Sequence, residues 1–343
     1  MLSEEELLEI RTGLENSQNP LFLFDNDVDG FCAFLVLRRA IERGRGVAIK
    51  SYPDLKGQYL RKVDEFNSDA IFILDKADVS LEFLKGANER NVLVYWIDHH
   101  NVEIDEERKS LVRYFSSFPS AEPTTFIAQS VFNRKNDLWL AMIGCIGDVY
   151  MPSFAKDFEE SNPEFFNASL SAFEALHKTE IGKMVRMINF GLMDTITNVV
   201  NFTKYLFKAN GPYDLLEENK DTFQFHKRYS ELNKFFTKQI EKAESEFDFK
   251  SKVLFFSYSG EISMSSEIAN KLYFNHPEKL IVVAFKSSEK VNLSIRGKNA
   301  LKITVDAIKG IDGATGGGHE VATGAMVPLI YFEDFKKKIM EIV

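Results

Sequence analysis

The chain has 343 residues, 45% of them hydrophobic and 27% charged, with 31 Phe. That is about twice the ~150-residue domain norm and apolar enough for two buried cores, which excludes a disordered chain and a disulfide-stapled mini-protein. Lys and Arg number 42 against 51 Asp and Glu, a formal charge of −9, so a long basic groove for duplex nucleic acid is excluded and any such contact should be local.

The amino terminus, Met1 to Glu6, is acidic where a signal peptide would be basic. The most apolar stretch, Leu138 to Gly147, is far short of the ~20 residues that span a bilayer, so a cytoplasmic protein with no membrane contact is expected. Short apolar runs then alternate with helical patterns, the signature of βα units on a parallel sheet. Strands are expected at Leu21 to Phe24, Ala48 to Tyr52, Ala70 to Leu74 and Val92 to Ile97, and helices at Phe31 to Arg43, Val79 to Arg90 and Leu138 to Val149. Cys32 and Cys145 fall inside these apolar stretches and read as core thiols in a reducing compartment.

An open α/β domain is therefore expected over 1–183. Residues 184–249 are mostly helical in pattern, with a break at Gly211-Pro212, and suit a helical connector. Strand patterns return at Val253 to Ser257, Leu280 to Phe285 and Val291 to Ile295, and Ser266 is placed to cap a helix starting near Glu267, so 250–343 reads as a smaller α/β domain. The formal charge is −12 before residue 250 and +3 from there on. A carboxylate-rich front able to hold cations and a mildly basic rear able to hold an anion suit a metal-dependent phosphate enzyme.

The acids of the front gather at strand ends. Asp25, Asp27 and Asp29 follow the first expected strand, Asp75 the third, and Asp98 with His99 and His100 the fourth, while Asp148 ends an apolar run after Gly147. Ligands of open α/β sheets bind at the carboxyl ends of the strands, where the loops converge. A single Asp there commonly caps the helix that follows, but a cluster of buried carboxylates repels itself and needs cations to stay ionised, which makes the set a metal site. Asp25-Asn26-Asp27-Val28-Asp29-Gly30 also opens like an EF-hand loop, yet the position that must supply a bidentate Glu is Val36, so that reading fails. The adjacent His99 and His100 are expected to point in different directions, one to metal and one to substrate.

In the rear, Gly313 to His319 is the densest glycine run. A P-loop is excluded because His319 and Glu320 follow Gly318 where Lys and Ser/Thr are required. What remains is a backbone at Gly316, Gly317 and Gly318 that an anion can approach closely, beside the His319 imidazole, or else a flexible turn. Ser294 and Arg296, two apart on an expected strand, should project from one face, with Arg suited to phosphate.

Together these residues resemble the DHH phosphoesterase superfamily, and within it the RecJ-like branch with a carboxyl-terminal DHHA1 domain. Asp25-Asn26-Asp27-Val28-Asp29-Gly30 is similar to the first motif, Asp75 to the second, Asp98-His99-His100 to the third and Gly147-Asp148 to the fourth. Ser294-Ile295-Arg296 and Gly316-Gly317-Gly318-His319 are similar to the DHHA1 substrate-binding elements. The resemblance implies an open, mostly parallel DHH domain and two Mn²⁺ ions, or Mg²⁺, on Asp25, Asp27, Asp29, Asp75, His99 and Asp148, with Asp75 bridging. It also implies that His100 faces the phosphate, with Asp98 behind it, while Ser294, Arg296, the three glycines and His319 grip a neighbouring phosphate.

Relatives that act on cyclic dinucleotides typically carry a His where this chain has Leu23, whereas Asp25 matches the RecJ arrangement. The length leaves no room for the OB-type domain of bacterial RecJ, so the resemblance is to a compact, archaeal-type member. The implied activity is a Mn²⁺-dependent exonuclease or phosphodiesterase acting on single-stranded DNA or RNA or on short oligonucleotides. A phosphoesterase of dinucleotides or phosphoadenosine phosphate is the nearest alternative. A non-catalytic, replication-associated relative is the other, but such proteins have lost metal ligands and none is missing here.

Overall fold

The computed structural model describes residues 1–50, 54–120, 122–248 and 250–343. They divide into two compact units, Met1–Arg228 and Tyr229–Val343. The segment 184–249, read from sequence as a connector, thus contributes its helices to the first unit as far as Arg228 and the remainder to the second.

The first unit begins with α1 (Glu4–Asn16), β1 (Pro20–Asp25), α2 (Val28–Ile41) and β2 (Arg45–Ile49). A short ladder of β3 (Asp54–Leu55) with β5 (Asp78–Val79) flanks α3 (Leu60–Phe66) and β4 (Ala70–Leu74). Then come α4 (Leu81–Glu89), β6 (Leu93–Asp98), α5 (Glu106–Lys109), β7 (Arg113–Ser116), α6 (Thr124–Phe132) and α7 (Leu138–Gly147). Further helices follow as α8 (Ala155–Ser161), α9 (Ala172–Lys178), α10 (Glu180–Leu192), α11 (Ile196–Leu206), α12 (Pro212–Leu216) and α13 (Phe223–Glu246), the last crossing the division between the units. The expected break falls where Gly211 precedes α12 and Pro212 opens it. The expected strand Ala48 to Tyr52 appears as β2, ending at Ile49; Ser51 and Tyr52 lie outside the described residues.

The sheet is parallel throughout, in the order β2-β1-β4-β6-β7. Covered on both faces, its inner strands are continuous apolar runs, and Leu21 to Leu23 and Ile71 to Leu74 have no exposed surface. From β1 the chain moves outward to β2 and then returns across β1 to β4. The strand order therefore reverses beside β1 and β4, and the crevice at their carboxyl ends is the topological switch point where ligands of such sheets bind. Helix α2 is buried from Val28 to Leu37 and packs on α6 and α7. Gly30 is required in its first turn, because a Cβ there would stand 2.7 Å from the Asp25 carbonyl oxygen.

The second unit adds β8 (Val253–Tyr258), α14 (Ser265–Asn275), β9 (Leu280–Lys286), β10 (Lys290–Arg296), α15 (Ala300–Ile308), β11 (Thr315–His319), β12 (Ala322–Pro328) and α16 (Phe332–Ile342). Its mixed sheet runs β11-β12-β10-β9-β8, with only β8 and β9 parallel. Val291, Leu293 and Ile295 of β10 meet Ala300, Ala307, Phe332, Phe335 and Ile339 in one core. Helix α14 covers the opposite face of β9 and β10.

Two sequence expectations change here. Helix α14 starts at Ser265, ahead of the expected cap, and its amino terminus has no side-chain cap; the Ser266 hydroxyl instead accepts from Arg296 Nη2 at 2.8 Å. The glycine run opens in a turn at Gly313, but from Thr315 on it is neither a turn nor an open loop: it is edge strand β11, paired antiparallel with β12 from Thr315↔Met326 to His319↔Ala322. Gly318 sits at φ +135°, outside the range of residues with a Cβ. Among the described residues, no helix is long and apolar enough to cross a membrane.

Candidate metal centre

Each loop at the carboxyl end of β1, β4 and β6 delivers acids to the switch point. Asp27 is the amino-terminal cap of α2 and accepts from Gly30 N–H at 3.0 Å, so the capping role and the cluster coexist in one residue. Asp29, in the first turn of α2 and buried, accepts from the Thr124 and Thr125 backbone N–H groups at 2.8 Å each. The Thr125 hydroxyl returns a bond to the Asp29 carbonyl at 2.8 Å. The first turn of α6 thereby fixes the Asp29 carboxylate with otherwise orphaned helix donors.

Asp75 is 2% exposed and adopts the left-handed backbone, φ +59°, immediately beyond β4. Such a conformation is uncommon outside glycine, though Asp tolerates it, and it turns the chain sharply where the strand ends. His99 Nε2 lies 3.2 Å from Asp75 Oδ1 and 4.0 Å from Asp29 Oδ2, and His99 Nδ1 lies 3.7 Å from Asp148 Oδ2. His100 Nδ1 is 3.9 Å from the same Asp75 oxygen. Asp75, His99 and His100 present ligand atoms within 4.8 Å of one another. The expectation that the two histidines diverge is therefore corrected: their ring centroids are 4.5 Å apart and both face Asp75. Strand β6 has already ended at Asp98, so side-chain alternation does not extend to them, and the Asp98 carboxylate bends the chain back by accepting the His100 backbone N–H at 3.1 Å.

Asp98 is fully buried, and its Oδ1 lies 2.8 Å from His100 Nδ1. Burial works against a charged His100, but the Asp98 hydrogen bond and charge, with Asp148 and Asp27 behind them, more than offset it and raise its pKa. Asp27 is pushed up to about 7, first by desolvation and then by the charges of Asp25 and Asp29, although the residue is exposed to water at the mouth of the crevice, which softens both effects. Asp75 is raised well above the usual carboxylate range by burial and by Asp27, Asp29, Asp98 and Asp148. Asp29 is raised by burial, with His99 and the Thr125 and Thr124 hydrogen bonds pulling it back. Asp148 also moves up, through burial of its carboxyl and the Asp29 and Asp27 charges, although 40% of its side chain meets water, which softens both effects. The cluster cannot hold all its negative charge unaided, and an oxygen-rich set with one or two imidazoles fits Mn²⁺ or Mg²⁺ better than a thiolate-preferring metal.

Asp25 meets a lysine, where Asp29, Asp75 and Asp148 meet histidines. Its side chain is 34% exposed, and Oδ1 accepts both Asn26 N–H at 3.1 Å and the Lys76 ammonium at 3.3 Å. Lys76 and the Thr124–Thr125 turn are the parts of the site that the sequence reading passes over. A lysine directly behind a strand-end Asp was the available signal for one, and Pro123 ahead of a polar-to-apolar switch for the other.

In the second unit Ser294 and Arg296 do share a face of β10, the one toward α14. The Ser294 hydroxyl donates to Ser265 Oγ at 3.0 Å. Arg296 is largely engaged within the fold: Nε donates to Asn270 Oδ1 at 2.6 Å, Nη1 to the Ile295 and Thr323 carbonyls, and Nη2 to Ser266 Oγ. His319 and Gly316 to Gly318 lie on the outermost strand, mostly exposed, where alternate N–H groups of an edge strand face away from its partner.

The open parallel sheet followed by a smaller mixed α/β unit is a fold shared with solved structures of RecJ and of a DHH domain. The chain superposes on RecJ in complex with Mn²⁺ from Thermus thermophilus at a TM-score of 0.68 and 14% identity, covering 99% of this chain and 55% of that one. It matches an exonuclease RecJ bound to manganese at 0.64 and 15%, covering 99% and 95%, and the DHH domain of a member of the s1p family of ribosomal proteins at 0.70 and 13%, covering 99% and 90%. This chain thus spans about half the length of the Thermus RecJ chain. At these identities the likeness is one of fold. No family model and no curated protein matches the sequence.

Proposed function

We propose that the protein is a divalent-cation-dependent phosphodiesterase that hydrolyses single-stranded nucleic acid or short oligonucleotides, and that two Mn²⁺ or Mg²⁺ ions bind at the switch point. The observation that carries this reading is the set Asp27, Asp29, Asp75, His99 and Asp148, in which desolvation first, and for Asp27, Asp75 and Asp148 the neighbouring carboxylate charges as well, raises the pKa of the carboxyls and so calls for cations. Asp75, facing both histidines, would be the residue shared by the two ions, and Asp25 would complete the set. When bound, two such ions lower the pKa of water, clamp phosphoryl oxygens and stabilise a leaving oxyanion.

The chain's own contribution is placement. The α6 amino terminus and the Gly30 N–H hold Asp29 and Asp27 still, and Asp98 keeps His100 oriented and inclined to carry a proton toward a phosphate oxygen. In the second unit, His319 and the backbone of Gly316 to Gly318 are the groups available to a neighbouring phosphate, with Ser294 and Arg296 supporting that surface from β10. The acidic balance of −9 favours short substrates and keeps hydrolysis of dinucleotides or phosphoadenosine phosphate as the second reading.

The test is end-labelled DNA and RNA oligomers of graded length, incubated with chelator-treated protein and then with added Mn²⁺. Stepwise shortening that requires Mn²⁺ and disappears in Asp75→Ala is expected. Undiminished cleavage by Asp75→Ala would remove the metal assignment, and activity confined to dinucleotides or mononucleotides would select the second reading.

A further inference from the structure

Lys76 follows Asp75 directly and is 2% exposed, the one lysine among the largest fully buried side chains of the described residues. Lysines are buried only where the ammonium is paired, and here it reaches Asp25 Oδ1 at 3.3 Å. The backbone that launches it is anchored to β6 from both sides. Trp96 Nε1 donates to the Lys76 carbonyl at 2.8 Å, and Asp75 N–H donates to the Ile97 carbonyl at 3.0 Å. The ammonium is thus a built part of the acidic crevice, paired with an acid whose side chain is 34% exposed.

We propose that Lys76 makes the two cation sites unequal: its ammonium competes with the ion on the Asp25 side, so that one site fills tightly and the other weakly. This rests on the metal centre proposed above and refines it. A lysine ammonium and a divalent ion seek the same carboxylate oxygen and repel each other, so an ion entering beside Asp25 must displace or tolerate a positive charge that the fold holds in place. Among the described residues, Asp29 and Asp75 form their ion pairs with histidines, and a neutral imidazole is a ligand for an entering ion rather than its rival. Occupancy of the second site would then follow the available concentration of metal rather than being permanent.

The experiment is Mn²⁺ titration of the chelator-treated full chain by calorimetry, with electron paramagnetic resonance at each step. In the wild-type protein the first equivalent should give the six-line signal of an isolated ion, and the exchange-coupled pair should emerge only with a second dissociation constant at least tenfold weaker. Lys76→Met, and Lys76→Gln as a polar neutral alternative should the first fold poorly, should tighten that second constant at least tenfold and bring the coupled signal to lower Mn²⁺. Adding Asp25→Asn to either variant should reverse the gain. Equal affinities in the wild-type protein, or a second constant unmoved in both folded variants, would overturn the role of Lys76 while leaving the metal centre intact. Failure of the folded wild-type protein to bind Mn²⁺ at all would overturn the centre itself.

Discussion

Asp98 holds His100 by two bonds at once: Oδ1 lies 2.8 Å from the imidazole Nδ1, and Oδ2 accepts the backbone N–H of the same residue at 3.1 Å. Because Asp98 is fully buried, its carboxylate has no water to share and spends its charge on that histidine. Replacing it with Asn keeps the shape and removes the charge, so the pKa of His100 should fall in Asp98→Asn. A group raised in the folded state contributes stability that is present below its unfolded pKa and lost as pH rises through the folded one, so the variant should lose stability mainly on the acid side. Nuclear magnetic resonance titration of the His100 ring protons checks this, and an unmoved midpoint would show that Asp98 serves only geometry. Turnover should drop by about 10- to 100-fold, the range for a lost orienting partner at a metal centre.

The carboxylate cluster gives the chelated protein an unusual pH response. Asp27 rises from 3.8 to about 7, and Asp29, Asp75 and Asp148 move in the same direction. Between about pH 4 and 7 the folded chain therefore holds protons that the unfolded chain has released, and stability falls as pH rises through that window. Thermal melts in chelator should show Tm declining from pH 5 to 7.5, and Mn²⁺ should abolish the decline, because ion binding supplies the positive charge in place of protons. A chelated Tm that climbs over this range would contradict the electrostatic account.

What was legible in the sequence is what burial writes locally. Strand β4 falls on Ala70 to Leu74 as expected, and β1 differs only at its ends, because a parallel strand covered on both faces must be an unbroken apolar run. Edge strands carry no such mark: β7, Arg113 to Ser116, and the glycine strand β11 exist through pairing with partners that local composition does not name. The acids of the site were legible as strand-end residues, but their restraints were not. Asp29 is held by Thr124 and Thr125, some 95 residues on, and the burial of Lys76 contradicts the ordinary behaviour of lysine.

Beside Asp148, helix α7 closes in a two-bond turn, Tyr150 N–H to the Cys145 carbonyl at 2.8 Å and Val149 N–H to the Ile146 carbonyl at 3.1 Å. The left-handed position of this turn, usually glycine, is Val149 at φ +56°, a poor fit for a β-branched residue. Since 43% of Val149 is exposed, little packing is lost with its side chain, and Val149→Gly should stabilise the protein by about 0.5–1 kcal/mol once the added freedom of the unfolded chain is subtracted from the relieved strain. A rise in the urea midpoint at constant slope would confirm it. A fall would mean that the side chain packs in a way that outweighs its backbone cost.

Arg296 and His319, grouped by sequence as phosphate-gripping residues, should separate on mutation because the fold uses them differently. The Arg296 guanidinium ties β10 to Asn270 and Ser266 of α14 and to the Thr323 carbonyl of β12, and burial lowers its pKa to about 10. Removing it leaves those acceptors without their donor, so Arg296→Ala should cost about 1–3 kcal/mol of stability whatever it does to substrate. His319 stands exposed at the end of the edge strand, so His319→Ala should leave stability within about 0.5 kcal/mol of the parent. If His319 contacts a phosphate, KM for oligonucleotides should rise roughly 10-fold or more, the equivalent of a lost charged hydrogen bond, with kcat at saturating substrate and Mn²⁺ binding little changed. Denaturation curves and steady-state kinetics on both variants decide the matter. An unchanged KM in His319→Ala would withdraw the edge strand from substrate binding, and a fall in bound Mn²⁺ in either variant would show that the two units do not divide the work between metal and substrate as proposed.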